Sequence, residues 1–212
     1  MKAVLLSTRP KWCEKICHKI AKNENGKSIY AKTIEIRKTK PSIYTPFKVL
    51  IYQTKSRDNA IYKEYKVDDL RSGKVIGEFV CDWIAEYDCE LYNDGSDEEI
   101  RSVWYDEDDG ERYTEIIAHT GGRPWLLRKA CMSWDEFKAY MGEGEKTFYA
   151  WHISDLKIYD KPKPLEEFYI RCRISDKKCR LCDNCFERED SYGRYYAVKK
   201  LTRAPESWCY VE

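Results

Sequence analysis

The stretch that decides the fold is a short alternating segment, which reads Lys32-Thr33-Ile34-Glu35-Ile36-Arg37-Lys38. Apolar and polar residues alternate along it, which is the period of a half-buried β-strand. We expect Ile34 and Ile36 to face a core. Thr33, Glu35 and Arg37 then share the opposite face, where a hydroxyl, a carboxylate and a guanidinium follow one another. A strand with three such groups on one face is equipped to bind a polar ligand.

A helix is predicted ahead of this strand. Pro10 suits the first helical position, because the N–H that proline lacks would have no partner there. Apolar side chains then recur at helical spacing, at Trp12, Cys13, Ile16, Cys17 and Ile20. The pattern predicts a helix that ends between residues 23 and 26, with its cysteines packed in the core as small hydrophobes.

Other segments predict further elements along the chain. Ser133 and Glu136 form a capping box, which predicts a helix to about Met141. Residues 148–159 alternate well enough for a long strand, and we expect the proline-containing stretch 161–164 to break it. The few helices among many strands indicate an α+β protein.

Together with residues 7–14, the alternating segment resembles the opening of the ASCH family, the PUA-like β-barrels named after the activating signal cointegrator. That family's signature is a helix, a Gly-x-Lys turn and a strand that carries Glu-x-Arg. Residues 75–79, 151–156 and 203–211 resemble later parts of phage-type and bacterial members. The turn here is longer than the family's, because residues 27–31 separate Gly26 from Lys32.

The resemblance implies a PUA-like mixed β-barrel with flanking helices, an acidic insertion and a Cys-rich appendage. We expect the barrel to comprise residues 1–160 and 201–212, with the insertion at about 88–122. The appendage is expected at residues 165–200.

The resemblance also implies a ligand cleft beside the signature strand and a function in binding RNA or a nucleotide-like ligand. The expected ligand-binding residues are Arg9, Lys32, Thr33, Glu35 and Arg37, and the catalytic candidates are Lys32, Glu35 and Glu78. Some relatives hydrolyse acetylcytidine and others have been described as ribonucleases, so a hydrolase acting on a modified nucleoside or RNA is one alternative. A phage-type protein-interaction factor is another. The plainest alternative is that Glu35 and Arg37 only form an ion pair along one strand face.

Charge is distributed unevenly along the chain, although the net charge is only +1. Residues 1–66 hold 16 Lys and Arg against 5 Asp and Glu, a balance of +11. Residues 67–115 hold 4 against 17, a balance of −13. The basic part is suited to phosphates, whereas the acidic part either covers the basic part or is solvated.

Four cysteines close together indicate a second site. Cys172, Cys179, Cys182 and Cys185 have the spacing C-x6-C-x2-C-x2-C within a Lys- and Arg-rich segment. Short C-x2-C turns place two thiolates on one ion, so we expect a structural zinc. Iron–sulfur ligation, unliganded thiols and disulfides remain the alternatives.

No apolar run approaches the roughly 20 residues that span a membrane. The N-terminal apolar run, residues 3–6, is too short for a secretory signal. We therefore expect a cytoplasmic protein with mostly reduced cysteines.

Overall fold

The computed structural model describes residues 3–22, 28–55, 69–93, 98–105, 112–119, 125–142, 146–172, 185–190 and 192–212. The chain divides into two compact units. The first comprises Met1–Glu14, Phe47–Val80 and Asp155–Glu212, and the second comprises Lys15–Pro46 and Cys81–Ser154. Both units are built mainly from strands, which confirms the α+β prediction.

The first unit is organised around a five-stranded sheet. Its strands in chain order are β1 (Ala3–Thr8), β5 (Phe47–Gln53), β6 (Lys74–Cys81), β11 (Ser154–Pro164) and β15 (Trp208–Val211). In space the order is β11-β6-β5-β1-β15. The two central strands β1 and β5 run parallel, and β15 pairs antiparallel with β1. A smaller antiparallel sheet is formed by β12 (Tyr169–Arg171), β14 (Tyr195–Lys200) and β13 (Cys185–Glu189), in that order.

One core cluster of the first unit lies on one face of β1 and β5. Leu5 and Leu50 are buried there beside Tyr52, together with Val75, Leu165, Leu201 and Val211. Each fully buried aliphatic side chain stabilises the fold by about 1.5–3 kcal/mol.

The second unit contains the predicted signature strand. Its sheet runs in the order β4 (Ile34–Arg37), β10 (Lys146–His152), β7 (Ile84–Asn93), β8 (Glu98–Tyr105) and β9 (Arg112–His119). Strands β7 to β9 are an antiparallel meander formed by the acidic stretch, so that stretch extends the sheet of the signature strand. Two short strands, β2 (Lys19–Lys22) and β3 (Ser28–Tyr30), pair with each other.

Helices complete the described elements: α1 (Pro10–Cys17), α2 (Trp125–Ala130) and α3 (Trp134–Met141), with 3-10 turns at Asp69–Arg71 and Leu165–Glu167. The capping box is confirmed, because the Ser133 hydroxyl accepts from the Glu136 N–H and the Glu136 carboxylate accepts from the Ser133 N–H. Phe137 packs edge-on against Phe148 at 5.3 Å between ring centres. None of the described helices is long and apolar enough to cross a membrane.

Four expectations need correction. The long strand expected over residues 148–159 is two strands, β10 and β11, which belong to different sheets. The first helix ends at Cys17 rather than between residues 23 and 26, because the chain turns into β2, and Ile20 is 59% exposed. The prolines of 161–164 lie inside β11, which tolerates them because it is an edge strand. The described strands pair into open sheets, so their hydrogen bonds do not close a barrel.

Gly77 in β6 allows an unusually close approach of two backbones. A Cβ at this position would lie 2.5 Å from the carbonyl oxygen of Lys157 and 3.2 Å from the Cα of Ile158, both in β11. Backbone atoms of a paired strand cannot move aside as a flexible side chain can. Glycine is therefore required at this point of the sheet.

Replacing Gly77 by Ala should reduce the free energy of unfolding by about 2–3 kcal/mol, because the sheet must separate locally. Gly142→Ala is the matched control: its φ of +79° disfavours alanine, but a Cβ there meets nothing within 4 Å. We expect the control to cost about 1 kcal/mol. Urea denaturation of both variants measures the difference, and equal costs would contradict the close approach.

Candidate functional site

The signature strand is fixed at its start by backbone hydrogen bonds. The Thr33 N–H donates to the Lys129 carbonyl at 2.9 Å, and the Thr33 carbonyl accepts from the Ile153 N–H at 2.9 Å. Ile34 and Ile36 are buried, as the alternation predicts. Lys32 is thereby held just ahead of the strand, next to the end of α2.

Lys32, Glu35 and Arg37 form one ion-paired cluster, which we call the charge triad. Lys32 Nζ lies 3.2 Å from Glu35 Oε2, and Arg37 Nη2 lies 2.8 Å from Glu35 Oε1. Lys32 Nζ also donates to the Ala130 carbonyl at 2.7 Å. The side chains of Lys32, Glu35 and Arg37 are 1%, 7% and 12% exposed. One buried carboxylate therefore serves two cations.

Burial shifts the proton affinities within the triad. Desolvation lowers the pKa of Lys32, and the neighbouring Glu35 carboxylate only partly opposes this. Desolvation alone would raise the pKa of Glu35, but the charges and hydrogen bonds of Lys32 and Arg37 outweigh it, so that pKa is lowered. Glu35 is thus a stable anion between two cations. With all three groups charged, the triad carries a net charge of +1.

Aromatic and polar groups continue the strand face beside the triad. Directly opposite residues of antiparallel strands share a face, and Glu35 is opposite the buried Trp151 while Arg37 is opposite Tyr149. The Tyr149 hydroxyl donates to Glu86 Oε1 at 3.3 Å. Lys40 pairs with Glu86 and lies over the Tyr149 ring. Arg37 therefore stands between the buried Glu35 and a partly exposed polar row formed by Tyr149, Glu86 and Lys40.

Glu78 and Arg9 lie in the first unit, outside the triad. Glu78 Oε2 accepts from the Tyr159 hydroxyl at 2.6 Å, and Lys48 Nζ approaches the same carboxylate at 3.4 Å. The Tyr159 hydrogen bond is the main reason that the pKa of Glu78 is lowered. Arg9 is exposed between β1 and α1. The described contacts of Glu78 are therefore those of a carboxylate held on the sheet of the first unit.

A second group in the second unit consists of Asp82, Trp83 and His152. His152 Nδ1 lies 2.5 Å from Asp82 Oδ1, and the imidazole stacks on the Trp83 ring at 4.9 Å with an angle of 9°. The backbone N–H of His152 donates to the backbone carbonyl of Trp83 at 3.1 Å. His152 lies in the segment 151–156 that resembles the ASCH family, whereas Asp82 and Trp83 were not predicted as site residues. Their position after a buried strand was the only available signal.

The cysteine cluster is described only in part, because Cys179 and Cys182 lie outside the described residues. Cys172 and Cys185 flank β14, opposite Ala197 and Lys199. Strand geometry separates their Cα atoms by roughly 12 Å, whereas two thiolates on one zinc bring theirs within roughly 10 Å. Both would reach one ion only if a strand end shifted. No metal-binding group of three or more side chains occurs among the described residues.

Among solved structures, the fold is similar to an ASCH protein from Zymomonas mobilis, with 16% identity and a TM-score of 0.42, over 78% of this chain and 75% of that one. A point mutant of that protein gives 16% identity and a TM-score of 0.43, over 79% and 78% of the two chains. No family model and no curated protein matches the sequence. Likenesses of this degree carry no conclusion about the family, ligand or activity of this chain.

Replacing Glu35 by Gln should reduce the free energy of unfolding by roughly 3 kcal/mol at pH 7, because two cations lose their counter-charge in a buried place. Changing Lys32 to Met in the same molecule should restore part of the loss. Glu86→Gln is the control: Glu86 is 45% exposed, so we expect less than about 1 kcal/mol.

The loss of stability caused by Glu35→Gln should also depend on pH, and it should become smaller in acid. The folded-state pKa of Glu35 is lowered, so its contribution is complete above the unfolded value of about 4.3. It disappears as the pH falls through the folded value. Urea denaturation from pH 7 to pH 3 should therefore show wild type and Glu35→Gln converging in acid. A constant difference, or one no larger than in the control, would contradict the triad.

Zinc ligation by Cys172, Cys179, Cys182 and Cys185 stays a prediction, and elemental analysis of purified protein tests it. We expect one zinc per chain, which acid or a chelator releases because the ligands must be deprotonated. Serine at both Cys179 and Cys182 should abolish binding, whereas serine at Cys13, a buried core cysteine, should retain it. Protein without zinc would refute the site.

Proposed function

We propose that this chain binds RNA or a nucleotide-like ligand beside the strand Ile34–Arg37. The observation that carries the proposal is the charge triad, in which one buried carboxylate serves two cations. An excess positive charge in a water-poor place is costly unless an anion approaches it. A phosphate is the anion that the surrounding chemistry suits.

Arg37 is the group proposed to meet that phosphate. Its planar guanidinium has five N–H donors, which suits phosphate oxygens. Glu35 holds one edge of the guanidinium through Nη2. This ion pair fixes the Arg37 side chain in place, so little side-chain entropy is lost on binding. The mainly basic composition of residues 1–66 supports the same ligand class.

Aromatic surfaces in the second unit support binding of bases rather than of phosphate alone. Trp83 and His152 form a stacked pair, and His152 is 28% exposed. Unpaired bases stack on Trp and His rings in a largely sequence-tolerant way. We propose that the ligand is single-stranded rather than a paired helix.

The triad favours binding over catalysis. A lysine serves as a base only when its amine is neutral and reaches the substrate. Lys32 Nζ instead donates to the Ala130 carbonyl and pairs with Glu35 in a nearly inaccessible place. This arrangement suits a structural cation that positions Glu35, and it argues against Lys32 as the base of a hydrolase.

Replacing Arg37 by Ala should weaken binding of a fluorescein-labelled single-stranded RNA by about tenfold, because one charge-assisted phosphate contact is lost. The dependence of log affinity on log salt should become shallower by about one unit. Fluorescence anisotropy at several salt concentrations measures both.

Arg71→Ala is the matched control. Arg71 is likewise an ion-paired arginine, since its Nη1 lies 3.4 Å from Glu14, so the variant removes the same charge from the first unit. Equal weakening by both variants would mean that only net charge matters. Absence of RNA binding by the wild-type protein at low salt would refute the proposal and favour a protein partner.

A further inference from the structure

Gln53 is the most anomalous buried residue of the first unit. It is the only glutamine of the chain and the last residue of β5. Its side chain is fully buried, yet neither Oε1 nor Nε2 has a hydrogen-bond partner in the part of the chain that the structure describes. A buried amide without partners opposes folding, and such groups are rare in native proteins. Its presence needs an explanation that packing does not give.

The position of Gln53 is at the carboxyl end of two parallel strands. Thr8 of β1 stands level with Gln53 of β5. On the same face, one step further back, the level pair is Leu6 and Ile51, and both are fully buried. The ladder thus changes from apolar to polar at the strand ends. Such ends are where open sheets with parallel strands hold ligands.

Two cationic residues follow the ends of these strands. Arg9 directly follows Thr8 and is exposed, and Lys55 lies two residues beyond Gln53 and is exposed as well. The Gly73 N–H donates to the Gln53 carbonyl at 2.9 Å, and the Lys55 stem lies across Gly73, with Cε 2.6 Å from where a Cβ would be. A flexible lysine stem therefore lies beside the residue that is hydrogen-bonded to the Gln53 backbone.

We propose that the Gln53 amide reads the edge of a nucleobase at the ends of β1 and β5, with Arg9 and Lys55 meeting the attached phosphate. An amide presents one donor and one acceptor side by side, which matches the N6–H and N7 of adenine. In this proposal, side chains at the strand ends, Lys55 among them, move aside when the ligand reaches the amide. This subsite lies in the first unit and is additional to the proposed binding at Arg37.

The test replaces Gln53 by Met, which keeps the length of the side chain and removes the amide. The probes are the four ribonucleoside 5′-monophosphates, titrated by calorimetry against the full chain. We expect wild type to prefer adenosine monophosphate. Gln53→Met should lose at least tenfold in affinity for it while its melting temperature rises, because the unpartnered amide is gone. Arg9→Ala should weaken all four nucleotides alike.

Leu50→Met is the control, since Leu50 belongs to the same strand but packs in the core cluster beside Leu5. It should leave nucleotide affinity unchanged. A higher melting temperature for Gln53→Met with unchanged nucleotide affinity would overturn the proposal, because the amide would then make no contact with the nucleotide. A lower melting temperature would overturn it too, since the amide would be paired in solution. So would wild type that binds no nucleotide at millimolar concentration. None of these outcomes depends on RNA binding at Arg37.

Discussion

The ion pairing of Glu35 with Lys32 and Arg37 is the interaction on which the second unit depends. A carboxylate in a buried place is stable only when partners replace its water, and here one partner lies ahead of the strand and the other at its end. Lys32 extends the link to helix α2 through the Ala130 carbonyl. Strand, helix and partly exposed guanidinium are therefore held by one carboxylate, so structure and the proposed binding share a residue.

Glu35 and Gln53 are two buried polar residues in different situations. In the second unit, the buried charges of the triad pair with one another and leave an excess of positive charge. In the first unit, Gln53 is buried without a partner among the described residues, while Glu78 is satisfied by Tyr159. A binding role for Gln53 would then come at a cost in stability, whereas Glu35 would contribute to both stability and binding. This contrast explains why substitutions at the two positions are expected to act on stability in opposite directions.

Local patterns predicted the parts of the fold that local chemistry decides. The alternation around Ile34 and Ile36, the capping box at Ser133 and the α+β class all follow from residue spacing. The end of the first helix was missed, because pairing of β2 with β3 overrides an apolar stripe that continues to Ile20. The strand through Pro162 was also missed, since only the sheet order shows that β11 is an edge.

The candidate site was predictable in its residue types but not in its geometry. Lys32, Glu35 and Arg37 stood out as a polar row, whereas burial of the row depends on α2, which sequence spacing does not place.

The most direct measurement is the titration of the Glu35 side-chain carboxyl carbon by NMR. The account predicts a midpoint below that of an ordinary glutamate, with Lys32 and Arg37 charged beside it. A midpoint at or above the ordinary value would show that the carboxylate is not held between two cations.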